Sequence, residues 1–175
     1  LITETELSQL LDECYKANAG KEITYFEITT CAAMLAMSRK NANYTLLEVG
    51  LGGRLDATNV VEKPAIAVIT PISFDHEQFL GNSIEKIASE KAGIIKRNTP
   101  VVISLQDDQA SKIIEDRALE LNAPIYSYGK DWMAWEERGR LIYQDSQGLL
   151  DLPYPNLAGG HQIINAGCAL QTLRL

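Results

Sequence analysis

The chain of 175 residues is 46% apolar and 22% charged, the make-up of one globular unit with a small appendage and not of a disordered segment. Sixteen basic against twenty-three acidic residues leave a formal net charge of −7, which argues against a nucleic-acid partner and leaves room for a local anion site. No run approaches the roughly 18 apolar residues of a membrane span and no basic-then-apolar leader opens the chain, so a cytoplasmic protein with no membrane role is expected.

The opening reads as a helix. Thr3 with Glu6 has capping-box spacing, and Leu7, Leu10, Leu11, Cys14 and Tyr15 form a stripe of period 3.6 that stops at Asn18–Gly20. A second helix is expected from near Thr24, with Ile28, Cys31, Ala32, Leu35 and Ala36 on one face. Three continuous apolar runs follow: Tyr44–Val49, ending at Gly50-Leu-Gly-Gly53; Ala65–Thr70, ended by Pro71; and Pro100–Ser104. Continuous apolarity marks strands buried on both faces, as in a parallel sheet. Helices are expected over 82–96, with an Asn82/Glu85 cap, and over 107–122, with Ala110, Ile113, Ile114, Ala118 and Leu121 inward. The alternation implies an α/β fold with a largely parallel, right-handed sheet flanked by helices. From Tyr126 glycines separate short pieces such as Leu141–Gln144 and Leu149–Leu152, which read as an antiparallel β appendage. A closing helix contains Ile163, Ile164 and Leu170. The expected organisation is therefore an α/β core over 1–127, a small β-hairpin region over 128–158 and a closing helix over 159–175. The three cysteines, Cys14, Cys31 and Cys168, match neither a disulfide framework nor a zinc site and are expected in the core.

Ligands of open α/β sheets bind at the carboxyl ends of the strands. Glu48, then Asp75 and His76, fall at such ends, and Lys91 falls mid-helix. A carboxylate flanked by Leu46, Leu47 and Val49 is expected to be desolvated unless a cation or donors meet it; the alternative is a strand-end residue reaching water. His76 alone is more often a structural histidine than a ligand, and Glu48 with His76 at neighbouring strand tips raises the case for a hard divalent cation, although imidazole is an unusual Mg²⁺ ligand. The glycine loop has Leu55 where a dinucleotide fingerprint needs a third small residue, and neither Gly20-Lys21 nor Gly129-Lys130 is followed by Ser or Thr. No phosphate-cradling loop lies within these residues.

The segment Leu47-Glu-Val-Gly-Leu-Gly-Gly-Arg-Leu-Asp-Ala-Thr-Asn59 resembles the signature of the dihydrofolate synthase/folylpolyglutamate synthase family within the Mur ligase superfamily. Three more blocks agree in order: Tyr25-Phe-Glu-Ile-Thr29; Ile69 to Lys96, with Asp75-His76, Leu80-Gly81 and Glu90-Lys91-Ala-Gly; and Gly160-His-Gln-x-x-Asn165-Ala. The resemblance implies a Mur-ligase central domain of P-loop-NTPase-like architecture. It also implies ATP-dependent joining of L-glutamate to dihydropteroate or a folylpolyglutamate through an acyl phosphate, in folate biosynthesis. Carried over by position, Glu48 and His76 would ligate Mg²⁺, and Lys91, carbamylated, would ligate a second metal. Asp56 would line the pterin or glutamyl side, Asn165 would bond adenine beside His161, and Arg54 would belong to the binding residues.

Local alternatives stay open: an Asx turn for Asp56, a helix cap for Asn165, a solvated helix residue for Lys91, and structural roles for Glu27 and Thr29. The resembling family places a phosphate loop before the point where this chain starts and a glutamate-binding domain after Leu175. There is also one extra residue between Asn59 and Thr70. A middle fragment of a monomeric enzyme, inactive alone and with an exposed hydrophobic sheet edge, is the expectation. Other Mur-type amino-acid ligases, a nicotinamide-dependent oxidoreductase and a non-catalytic nucleotide-binding module are the rivals.

Overall fold

The computed structural model describes residues 2–175 and divides into two compact units. One comprises the chain up to Leu51 together with Asp56–Val60; the other comprises Gly52–Leu55 and Val61–Leu175.

In the first unit α1 (Glu4–Asn18) pairs with α2 (Tyr25–Ser38). Thr3 caps α1 by accepting from Glu6 N at 3.2 Å. At α2 the full reciprocal capping box forms: Thr24 Oγ1 accepts from Glu27 N while Glu27 Oε2 accepts from Thr24 N. Glu27 thus has the structural role expected of it. Thr29 does too, since its hydroxyl donates to Tyr25 O. Leu10, Ala32 and Ala36 form the buried seam, with Leu11, Cys14 and Leu35 against it. Cys31 is exposed and Cys14 only half-buried, so of the three cysteines only Cys168 lies in a core. Of the face expected on α2, Ala32 and Ala36 are buried and Leu35 packs against them, while Cys31 turns outward.

The run Tyr44–Val49 is not a strand. Among the described residues it has no ladder partner, and Tyr44 and Leu46 are 83% and 92% exposed. A strand needs a hydrogen-bonding neighbour as well as apolar side chains.

The second unit is an α/β layer structure. Its parallel sheet has the order β1 (Ala67–Ile69), β2 (Val101–Ile103), β3 (Ile125–Ser127), with Val68 opposite Val102 and Val102 opposite Tyr126. After β1 come a short α3 (Glu77–Leu80) and α4 (Ile84–Ala92); between β2 and β3 lies α5 (Asp108–Glu120). The cap of α4 is Ser83, one residue past the expected Asn82, and that of α5 is Asp107. Side chains alternate across the sheet. Val101 and Ile103 pack with Ala92, Ile95, Ile114 and Ala118, while Val102 packs on the opposite side with Trp132, Tyr143, Ile163 and Cys168. That second cover consists of the antiparallel sheet β4 (Trp132–Glu137), β5 (Arg140–Asp145), β6 (Gly148–Pro153) and of α6 (His161–Arg174). A polar knot ties β5 to α6: Arg174 pairs with Asp145 at 2.7 Å, and the Tyr143 hydroxyl lies 2.7 Å from Gln171 Oε1. Among the described residues no helix is long and apolar enough to cross a membrane.

Candidate active site around the glycine-rich loop

Each glycine of Gly50-Leu-Gly-Gly53 answers to a separate contact. A Cβ on Gly50 would stand 2.3 Å from the Phe26 ring, which joins the loop to the start of α2 inside the first unit. Gly52 adopts φ +69°, a left-handed conformation that side chains resist. A Cβ on Gly53 would stand 2.8 Å from Glu90 O and 3.2 Å from Lys91 Cα. The loop is a packing bracket, in keeping with its failure to match a phosphate-binding pattern.

Asp56 closes this loop as an Asx turn. Its Oδ1 accepts from Thr58 N and Oγ1 at 2.9 and 2.6 Å, and its Oδ2 accepts from Gly50 N and Leu51 N at 3.1 and 2.9 Å. Burial opposes ionisation here, but the hydrogen bonds from Thr58, Leu51 and Gly50 outweigh it and hold the carboxyl below its ordinary range. Four donors occupy the acceptor capacity of a carboxylate, so the residue organises the loop.

Glu48 lies in the same unit and is exposed, so it is not the desolvated carboxylate its apolar neighbours suggested. Those neighbours are themselves uncovered: Leu47, Glu48, Phe26, Thr30, Met34 and Thr58 line a shallow groove of about 190 Å³.

In the second unit His76 follows β1 with a φ of +50°, uncommon for a residue other than glycine. Its N–H donates to Asp75 Oδ1 at 2.8 Å, and its Nε2 lies 3.5 Å from Asp75 Oδ2. Gln106, for which the sequence offered no signal, steadies the approach to this corner. Its amide donates to Thr70 O at 2.8 Å and accepts from Ile72 N at 3.0 Å, repairing the ladder where Pro71 ends β1. Lys91 sits half-buried in the last turn of α4, where a cation suits the helix dipole, and no described residue pairs with it as a counter-ion. Arg54 is engaged with the residue beside it. Its Nε and Nη2 reach Glu90 Oε1 at 3.1 and 2.9 Å, and its N–H donates to Glu90 O at 2.8 Å.

Asn165 and His161 share one face of α6, both exposed, with Gln162 Oε1 accepting from Asn165 Nδ2 at 3.2 Å. Asn165 is not a helix cap, since the helix begins four residues earlier and Gly160 holds the cap position. The second unit therefore brings Arg54, Glu90 and Lys91 together, while the first brings Glu48's loop together with Asp56. Among the described residues no three His, Cys, Asp or Glu side chains gather as a self-sufficient metal site would require.

The Mur ligase middle domain model matches residues 3–173. The dihydrofolate synthase/folylpolyglutamate synthase of Haemophilus influenzae is 36% identical over 147 residues, 81% of this chain and 33% of that protein. The structure of E. coli FolC in complex with DHPP and ADP superposes with a TM-score of 0.88 at 33% identity, covering 99% of this chain and 40% of that one. An FPGS–AMPPCP–folate complex gives 0.81 at 30% identity, covering 94% and 41%. The chain thus spans well under half the length of each of these relatives. With the chain matched almost from end to end and relatives of one kind in both sequence and structure, the chain belongs to the Mur ligase middle domain family, on its dihydrofolate synthase/folylpolyglutamate synthase branch.

Proposed function

We propose that these residues form the central part of an ATP-dependent ligase that joins L-glutamate to dihydropteroate, to a folylpolyglutamate, or to both, in a monomeric cytoplasmic enzyme. The γ-phosphoryl group of ATP passes to a substrate carboxylate oxygen and ADP leaves. The α-amine of glutamate then attacks the acyl carbon, phosphate departs, and an amide remains. No side chain acts as nucleophile. The protein's contribution is positioning and charge.

What carries the reading is the 47–59 signature held on a frame that superposes, over 99% of the chain, on a FolC bound to DHPP and ADP. Glu48 and His76 are the residues that would hold Mg²⁺. Each is exposed, and a carboxylate or an imidazole so open to water can take its place beside water and phosphate oxygens on such an ion. When bound, such an ion neutralises charge on the transferring phosphoryl group. Lys91 as a neutral amine adds to CO₂, forming an N–C bond and releasing a proton, and the carbamate is a carboxylate in place of an ammonium. Asn165 and His161 would face adenine, and Asp56 would shape the acceptor side through its loop.

The full chain that carries this region, given Mg-ATP, dihydropteroate and glutamate, is expected to release ADP and phosphate in equal amounts with the amide product. ADP release indifferent to both co-substrates, or NADH binding without ATP turnover, would overturn the reading.

A further inference from the structure

We propose that Arg54, clamped on Glu90, is a positioning residue that sets the turn of α4 bearing Lys91. The inference rests on the reading of Lys91 as a functional group. Both the backbone and the side chain of Arg54 hold both the backbone and the side chain of Glu90. Arg54 N–H reaches a carbonyl in the final turn of α4, where helical carbonyls begin to lack partners; Gly93 N donates to the same oxygen at 3.2 Å. The approach is backbone on backbone. It depends on reciprocal glycines, since a Cβ on Gly53 would stand 3.2 Å from Lys91 Cα and one on Gly93 would stand 2.3 Å from Arg54 Cβ.

Stability does not account for such a device. The side chains of Arg54 and Glu90 are 55% and 26% exposed, and an ion pair so open to water adds little to stability. What the clamp does fix is rotation. Lys91 is next to Glu90 on a helix end that would otherwise fray, so the loop decides where its side chain points. Contacts behind a reacting group commonly matter for activity far more than for folding.

The test uses the full chain with Lys91→Ala as reference. Three readings are made on each variant: the lysine carbamate signal by ¹³C NMR in labelled bicarbonate, kcat and KM for ATP, and the thermal midpoint. Arg54→Met is expected to cut both the carbamate signal and kcat about 10-fold or more. The KM for ATP stays within about 2-fold and the midpoint moves by only a few degrees. Arg54→Met combined with Glu90→Ala should be no worse than the worse single change, because the two act as a unit. Wild-type carbamate occupancy and kcat in Arg54→Met would overturn the proposal; should that variant not fold, the same result in Glu90→Ala overturns it. If Lys91→Ala is inactive while the clamp variants are normal, this inference alone fails. If Lys91→Ala turns over normally, the functional reading of Lys91 fails and takes this one with it.

Discussion

Two largely apolar runs meet opposite fates. Val101-Val-Ile103 is flanked by a strand on each side and covered on both faces, and its three side chains are at most 1% exposed. Tyr44-Thr-Leu-Leu-Glu-Val49 has four apolar residues in six, yet among the described residues it pairs with no strand, and Leu46 is 92% exposed. Burying a leucine or valine side chain is worth about 1.5–3 kcal/mol, so the difference between the runs amounts to several kcal/mol. Apolarity states only what a segment requires. Whether the requirement is met depends on neighbours that lie elsewhere in the chain.

A single charge separates the two runs most sharply. Val102→Asp puts an unpaired carboxylate at a fully buried position between two layers; a loss above about 4 kcal/mol is expected, enough to unfold the second unit. Leu46→Asp in this same chain should change stability by less than about 0.5 kcal/mol, as surface substitutions do. Urea melts of the two variants test the contrast, and equal losses would mean that the 44–49 run is covered in solution.

Charge is tolerated inside only when it is answered. Asp145 is 4% exposed in its side chain, yet Arg174 binds it bidentately at 2.7 and 3.2 Å and Gln147 N donates to it. Burial opposes its ionisation; the bonds from Gln147, Tyr143 and Arg174 outweigh that and lower its pKa. Beside it, burial first and then Asp145 push the Tyr143 hydroxyl well above the usual tyrosine range. Arg174→Met strands the carboxylate and should cost about 3 kcal/mol in the same urea melts. For Asp145 itself the folded pKa is the lower one. Its stabilising contribution is therefore complete above the unfolded value of about 4 and fades as pH drops through the folded value. Asp145→Asn should flatten the acid limb of the stability curve below about pH 4, and an unchanged limb would contradict the assignment.

Much of the frame was legible because its signals are local. Thr3 caps α1 as its spacing from Glu6 indicated, α2 and α5 begin beside Thr24 and Asp107 where helices were expected, and β1 and β2 lie within the expected apolar runs. β3 escaped because three residues after Pro124 carry no periodicity, and β4 because the strand from Trp132 to Glu137 mixes polar and apolar residues. The 44–49 run was misread because a strand's partner cannot be seen in the strand. At the candidate site the Asx turn of Asp56 spans two residues and could be anticipated. The Arg54–Glu90 clamp and the Gln106 bridge to Ile72 span 36 and 34 residues, and a single sequence bears no trace of such contacts.

The smallest effect runs in the opposite direction. Ser104 ends the buried run at 2% exposure, and its hydroxyl has no hydrogen-bond partner of its own. The Cys168 thiol, which burial pushes to about 11 and that hydroxyl draws back, is a weak acceptor and does not satisfy it. A buried hydroxyl left in this state costs about 1–3 kcal/mol of desolvation. Removing it costs little packing, because alanine keeps the Cβ. Ser104→Ala should therefore raise stability by about 1 kcal/mol, where alanine elsewhere in the same core lowers it. A loss on this substitution would show that the hydroxyl is satisfied, and that the carboxyl end of β2 is a wetter place than its burial indicates.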